Sequence, residues 1–145
     1  MAASDPHNLQ RFIDAQRGVY ETALAELRAG SKQSHWMWFV FPQLAGLGRS
    51  PTAQLYAIAS LNEARTYLGH PLLGARLREC VDALLPWADK RTPEQIIGPI
   101  DAMKLRSSLT LFDQASPDDT FARALDAFFN GERDGRTLEL LNAER

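Results

Sequence analysis

The sequence predicts an all-α fold, a compact single domain of six or more helices over residues 1–145. Three observations carry that expectation. Four dipeptides, Asp5-Pro6, Ser50-Pro51, Thr92-Pro93 and Ser116-Pro117, each join an N-cap residue to proline. The cap oxygen accepts an orphan backbone N–H, and proline has no N–H to orphan and a φ suited to the first helical position. Between these starts, apolar residues recur at helical spacing. No stretch alternates with period two for long enough to demand a sheet.

In chain order, the first helix is expected over about 6–29. Leu9, Phe12, Ile13, Tyr20, Ala23, Leu24 and Leu27 form one stripe, interrupted by the polar Gln16, and Gly30 is the stop. Residues 31–49 have apolar side chains on both sides, so neither helical nor extended spacing wins. Ser34–Phe41 reads as a helical turn capped by Ser34 or as an extended segment, and Pro42 turns Phe41 out of the helical region. Residues 43–48 read as a loop. A helix over 51–59 follows, then one to about Leu68, with Ser60 and Glu63 as a capping box. Gly69-His70-Pro71 makes a corner before a helix over 71–85. Cys80 lies on the apolar face of that helix and reads as a small core residue rather than a nucleophile. A short helix follows Pro93, Gly98-Pro99 ends it, and Asp101 is expected to cap a helix over 102–114. Helices over 117–130, stopped by Asn130-Gly131, and over 136–143 complete the chain.

Composition bounds the function. With 45% hydrophobic and 23% charged residues the chain has the balance of an ordinary globular protein. Its lone cysteine permits no internal disulfide, no N-terminal secretory pattern is present, and the dense apolar run from Trp36 to Phe41 is far too short to span a bilayer. These features place the protein in the cytoplasm, with no membrane partner. A formal net charge of −2 argues against bulk nucleic-acid binding. No Asp or Glu occurs between Glu26 and Glu63, where the charged side chains are Arg28, Lys32 and Arg49. The gap reads either as a locally positive surface or as a buried stretch with little charge of any sign.

Phosphate-loop, dinucleotide-glycine, His-Glu-x-x-His and Cys-x-x-Cys signatures are absent, and the three histidines lack metal-ligand spacing. No metal or cofactor is therefore expected, and the residues leave open which, if any, is catalytic and name no reaction. Two segments stand out. Lys32 to Gln43 sets Lys32, His35 and Gln43 around Trp36 and Trp38, a combination in which aromatic faces stack planar groups and polar ends orient them. The same residues equally suit a core insertion. In the second segment, Leu105, Leu109 and Phe112 form a core stripe, with Lys104, Ser107, Ser108 and Leu111 on the neighbouring helical strip. There Lys104 and the serines serve as the cation and hydroxyl donors of an anion site, or the lysine snorkels beside the core.

Residues 5–12, Lys32 to Gln43, Tyr56-Ala57-Ile58, His70-Pro71 with Leu73-Gly74, and Lys104 to Phe112 together resemble the family known as domain of unknown function 1810. The resemblance covers nearly the whole chain, and the Ser34–Phe39 phrase is its most specific part. It implies a small, mainly α-helical single domain and no established activity. Where family members commonly carry methionine in the last phrase, this chain has Leu109, a conservative core exchange.

Two functions follow as expectations. The first is a small-molecule pocket for an anionic, nucleotide-like or phosphate-bearing ligand, formed by Lys32, His35, Trp36, Trp38, Gln43, Lys104, Ser107 and Ser108. In it Lys104 and Ser108 face His35 or Gln43 across one cleft. The alternative is a non-catalytic helical module that contacts a protein partner through the aromatic 35–43 segment.

Overall fold

The computed structural model describes residues 5–116 and 118–144. Among them are ten α-helices, and the only strand-like pairing is an isolated bridge between Leu44 and Ile58, so the fold is all-α as the sequence predicts.

The expected first helix is two. Helix α1 (Gln10–Gln16) and α2 (Tyr20–Arg28) are separated by a break at which Gly18 adopts φ +76°. A left-handed residue inside the apolar stripe turns the chain without moving the stripe off the core, and glycine takes that conformation at little cost. The expected start at Asp5-Pro6 is also displaced: α1 begins at Gln10 with Leu9 at its cap position, and the Asp5 carboxylate reaches forward to accept the amides of Leu9 and Gln10. At the end of α2, Gly30 N–H donates to Leu27 O and Ser31 N–H to Glu26 O, the paired closure that a left-handed glycine permits.

Helix α3 (Met37–Val40) is a single turn, and Trp36 rather than Ser34 occupies its cap position. Ser50 and Thr92 cap α4 (Pro51–Leu55) and α7 (Pro93–Ile97) as their Pro-containing starts predict, Thr92 in a full capping box with Gln95. Ser60 caps α5 (Leu61–Gly69), whereas Glu63 turns inward to Arg11 instead of closing the box. The chain then runs through α6 (Leu73–Leu84) and a short 3-10 turn (Leu85–Trp87). Helix α8 (Pro99–Ala115) starts earlier than expected, which places Asp101 in its first turn rather than at its cap. Ser116 ends α8, and α9 begins only at Thr120 (Thr120–Phe129); the Pro117 of that expected start lies outside the described residues. Asn130, left-handed at φ 55°, ends α9, and Asp134 caps α10 (Gly135–Ala143).

Helix α8 is the spine. It packs against α5, α7, α9 and α10, and Leu105, Leu109, Leu111 and Phe112 are buried along it. An aromatic chain runs from Phe12 through Tyr67 and Phe112 to Phe121 across this core, each ring within 6 Å of the next. No helix among the described residues is long and apolar enough to cross a membrane.

Candidate functional site

The two segments singled out in the sequence meet at the first turns of α8. The segment that carries Lys32 is fixed from both sides. After the turn at Gly30, the Lys32 amide donates to Ile96 O at 2.8 Å, which ties it to the end of α7 beside the start of α8. Glu26, on α2, then collects the following residues. Its Oε1 accepts the amides of Gln33 (2.8 Å) and Ser34 (3.0 Å) and the indole N–H of Trp36 (2.9 Å), while its Oε2 accepts the Ser34 hydroxyl. Partial burial alone would raise the Glu26 pKa, but these donors outweigh it and hold the carboxyl down at about 2. The charge is thus committed to shaping the loop. Farther along, Gln16 Nε2 donates to Phe39 O at 2.7 Å and pins α3 to α1. This explains the polar break in the first apolar stripe.

What this scaffold presents is a Lys–Asp–Lys cluster. One Asp101 oxygen accepts a hydrogen bond from Lys104 Nζ at 3.2 Å, and the other forms an ion pair with Lys32 Nζ at 3.0 Å. Each ammonium also lies over an indole: Lys32 is 5.0 Å from the Trp36 ring centre and Lys104 is 3.7 Å from that of Trp38. Both distances are within the range of cation–π attraction. The Lys32 side chain is 9% exposed and that of Lys104 20%. Asp101 in the first turn of α8 also faces the positive end of the helix dipole. The acid-free stretch therefore draws its counter-charge from α8, 69 positions beyond Lys32.

Two openings flank Lys104. A recess of about 70 Å³ is lined by Lys32, His35, Trp36, Trp38, Asp101 and Lys104. On the other side lies a cleft of about 330 Å³, walled by Trp38, Leu47 and Gly48 from the loop and by Ile100, Met103, Lys104 and Ser107 from α8, with Gln43, Asp134 and Arg136 completing it. The structure thus brings Lys104 together with His35 through the recess and with Gln43 through the cleft.

Ser108 stands apart. It is fully buried, and its hydroxyl has no hydrogen-bond partner among the described residues. The strip facing the cleft is Ile100, Met103, Lys104 and Ser107, at i, i+3, i+4 and i+7. It lies one turn toward the N-terminus from the strip the sequence suggested, and Ser108 and Leu111 belong to the core. Ser107 also differs in role from its expectation, because its hydroxyl donates to Met103 O. Trp36, Met37, Val40 and Phe41 are buried, so the aromatic segment is chiefly a wall of the core. The two most exposed large apolar side chains among the described residues are instead Ile100 and Met103, at 71% and 72%, ahead of Leu55 and Leu72. Asp101, which links the two lysines, has a sufficient local explanation in the sequence as a helix cap, and its partner Lys32 lies too far away in the chain to signal the second role.

Among the described residues no three His, Cys, Asp or Glu side chains gather as a metal site. Cys80 is buried away from the cleft, and burial pushes its thiol up to about 12.

Fold and cluster together define a small all-helical protein with a cation-bearing cleft at the start of its central helix. The chain belongs to the family described as "Protein of unknown function (DUF1810)", whose model matches residues 6–141. It is also similar to the crystal structure of the conserved hypothetical protein Rv1873 from Mycobacterium tuberculosis. The two share 50% sequence identity and a TM-score of 0.92 over 95% of this chain and 99% of that one. No curated protein matches it.

Proposed function

We propose that the cleft beside Lys104 binds a small organic anion, whose charged group sits at the Lys104 ammonium. The observation that supports this is the charge balance of the cluster. Two lysines share the single carboxylate of Asp101, and Glu26, the nearest acid of the 32–36 loop, is spent on Ser34, Gln33 and Trp36. One positive charge is left without its own counter-ion in a half-buried setting, where an unpaired charge is costly. The adjoining cleft lies within the size range of small-molecule sites and combines an apolar wall with a few polar groups, as such sites do. The alternative, protein contact through residues 35–43, draws little support from a segment whose Trp36, Met37, Val40 and Phe41 are buried.

A thermal-shift screen with phosphate, benzoate, AMP and NAD tests this reading. An anion at 100 times its Kd adds about 2.7 kcal/mol of stability. At this chain length that raises Tm by roughly 5–10 °C. Lys104→Ala should abolish the shift while itself costing about 1 kcal/mol, the worth of a partly exposed ion pair and stacked cation. A full shift in Lys104→Ala, or no shift with any anion, refutes the proposal.

A further inference from the structure

We infer that the preferred ligand of this cleft is a singly charged amphipathic acid, a carboxylate carrying an aromatic or branched apolar body, rather than a nucleotide polyphosphate; this rests on the cleft reading above. Three features of the lining point the same way. First, the donors for an anion are few. Lys104 offers the ammonium and Gln43 a terminal amide, whereas the rim cation Arg136 is paired with Glu139, the Ser107 hydroxyl is directed to Met103 O and Ser108 is sealed in the core. One cation and one amide match the two oxygens of a carboxylate. A phosphate chain brings several charged oxygens and needs a denser set of donors.

Second, the charge beyond Lys104 is unfavourable for a polyanion. The lining continues to Asp134, whose carboxylate accepts the Thr137 amide at 3.1 Å and lies 3.8 Å from Arg106. Arg136 at the rim is mostly exposed and already pairs with Glu139 at 3.3 Å. A second phosphate extending from Lys104 would meet a carboxylate on this path. Third, the rest of the surface is apolar. Trp38 and Leu47 face Ile100 and Met103, the two most exposed large apolar side chains among the described residues. Such exposure on neighbouring turns of one helix is what an apolar ligand body would cover.

The experiment uses the full chain with 13C-labelled methionine methyls, following Met103, whose signal is assigned by its loss in Met103→Glu. Probes are 1-naphthoate, the uncharged 1-naphthalenemethanol, inorganic phosphate and ATP, at matched ionic strength. Naphthoate should shift the Met103 methyl saturably, and the alcohol should bind roughly tenfold or more weakly, the worth of one charge-assisted hydrogen bond. ATP and phosphate should bind more weakly than naphthoate. Lys104→Gln should remove the preference for naphthoate over the alcohol. Met103→Glu, on an exposed position that does not threaten the fold, lacks the reporter methyl and is followed by thermal shift, where it should weaken naphthoate by placing a like charge in the wall. If ATP or phosphate binds more tightly than naphthoate at the Met103 methyl, the ligand class is overturned while the anion cleft stands. If no anion perturbs Met103, both fall together.

Discussion

Glu26 is where a single side chain can be weighed against the architecture of the site. It accepts four hydrogen bonds from three residues of the 33–36 segment, Gln33, Ser34 and Trp36, and one donor, the indole N–H of Trp36, belongs to a fully buried ring. In Glu26→Ala the exposed Gln33 amide can turn to water, but the indole cannot. A buried donor left unpaired costs about 1–3 kcal/mol. Adding the loosened Ser34 contacts, we expect a loss of about 3 kcal/mol, a fall in Tm of roughly 6–12 °C for a chain of this length. Glu26→Gln keeps an oxygen for the three N–H donors and lets the Ser34 hydroxyl rotate, so it should lose only about 1 kcal/mol.

The two variants also separate by pH. The folded pKa lies near 2, below the ordinary 4.5, so between these values the unfolded chain binds more protons. The contribution of Glu26 is therefore complete above about pH 4.5 and is lost as pH falls toward 2. After allowance for solvent screening it amounts to about 1–2 kcal/mol. Urea unfolding of wild type and Glu26→Gln at pH 6 and pH 3 reads this directly, since the gap of about 1 kcal/mol between them at pH 6 should largely close at pH 3, where most of the contribution is lost. A gap that stays constant, or a Glu26→Ala variant within 0.5 kcal/mol of wild type (about the spread of ordinary surface substitutions), would refute the account of Glu26 as the post that fixes Trp36.

Gly30→Ala should destabilise by about 2 kcal/mol or more, measured by thermal unfolding, because a left-handed non-glycine residue is strained. Its added Cβ would also lie 2.6 Å from the Trp87 ring at a φ of +68°. Cys80 should resist a thiol-specific disulfide reagent at pH 8 in the folded protein and react fully in denaturant, since it is buried and its thiol is held up at about 12. Rapid labelling of the native protein would show that the α6 face opens far more easily than its packing implies.

How much of this was legible in the sequence depended on how local the cause was. Ser50 and Thr92 act within three residues of themselves, so their helix starts could be read directly. The break at Gly18 could not, because the apolar stripe continues through it and only the packing of α1 against α3 reveals the change of direction. The misplacement of Ser108 has a different origin. From Ser107 to Phe112 every side chain is buried, since α8 is enclosed by neighbours on nearly all sides. Periodicity can phase a helix that has a polar face and a buried face, but it cannot phase one that is surrounded. The cleft-facing strip is visible only in the first two turns, where Ile100 and Met103 remain open, and Ile100 lies ahead of the helix start that the sequence predicts.

The Lys–Asp–Lys arrangement also explains how a cation can be both a structural partner and free to act. Lys32 is the less exposed of the two lysines and lies closer to Asp101, 3.0 Å against 3.2 Å. Electrostatic attraction strengthens as water is excluded, so the more deeply buried Lys32 remains a counter-charge to Asp101 when the hydrogen bond from Lys104 is given up. An anion that draws the Lys104 ammonium toward the cleft therefore leaves the carboxylate still satisfied by Lys32. A simple buried pair would lack this property, because engaging its lysine would strand its acid, and breaking such a pair is strongly unfavourable. The second lysine thus keeps the first available. In the 31–43 segment the sequence supplies this by placing Lys32 four residues before Trp36, whose ring it lies over, with no acid in the segment to neutralise it, so that its counter-charge comes from the same helix that carries Lys104.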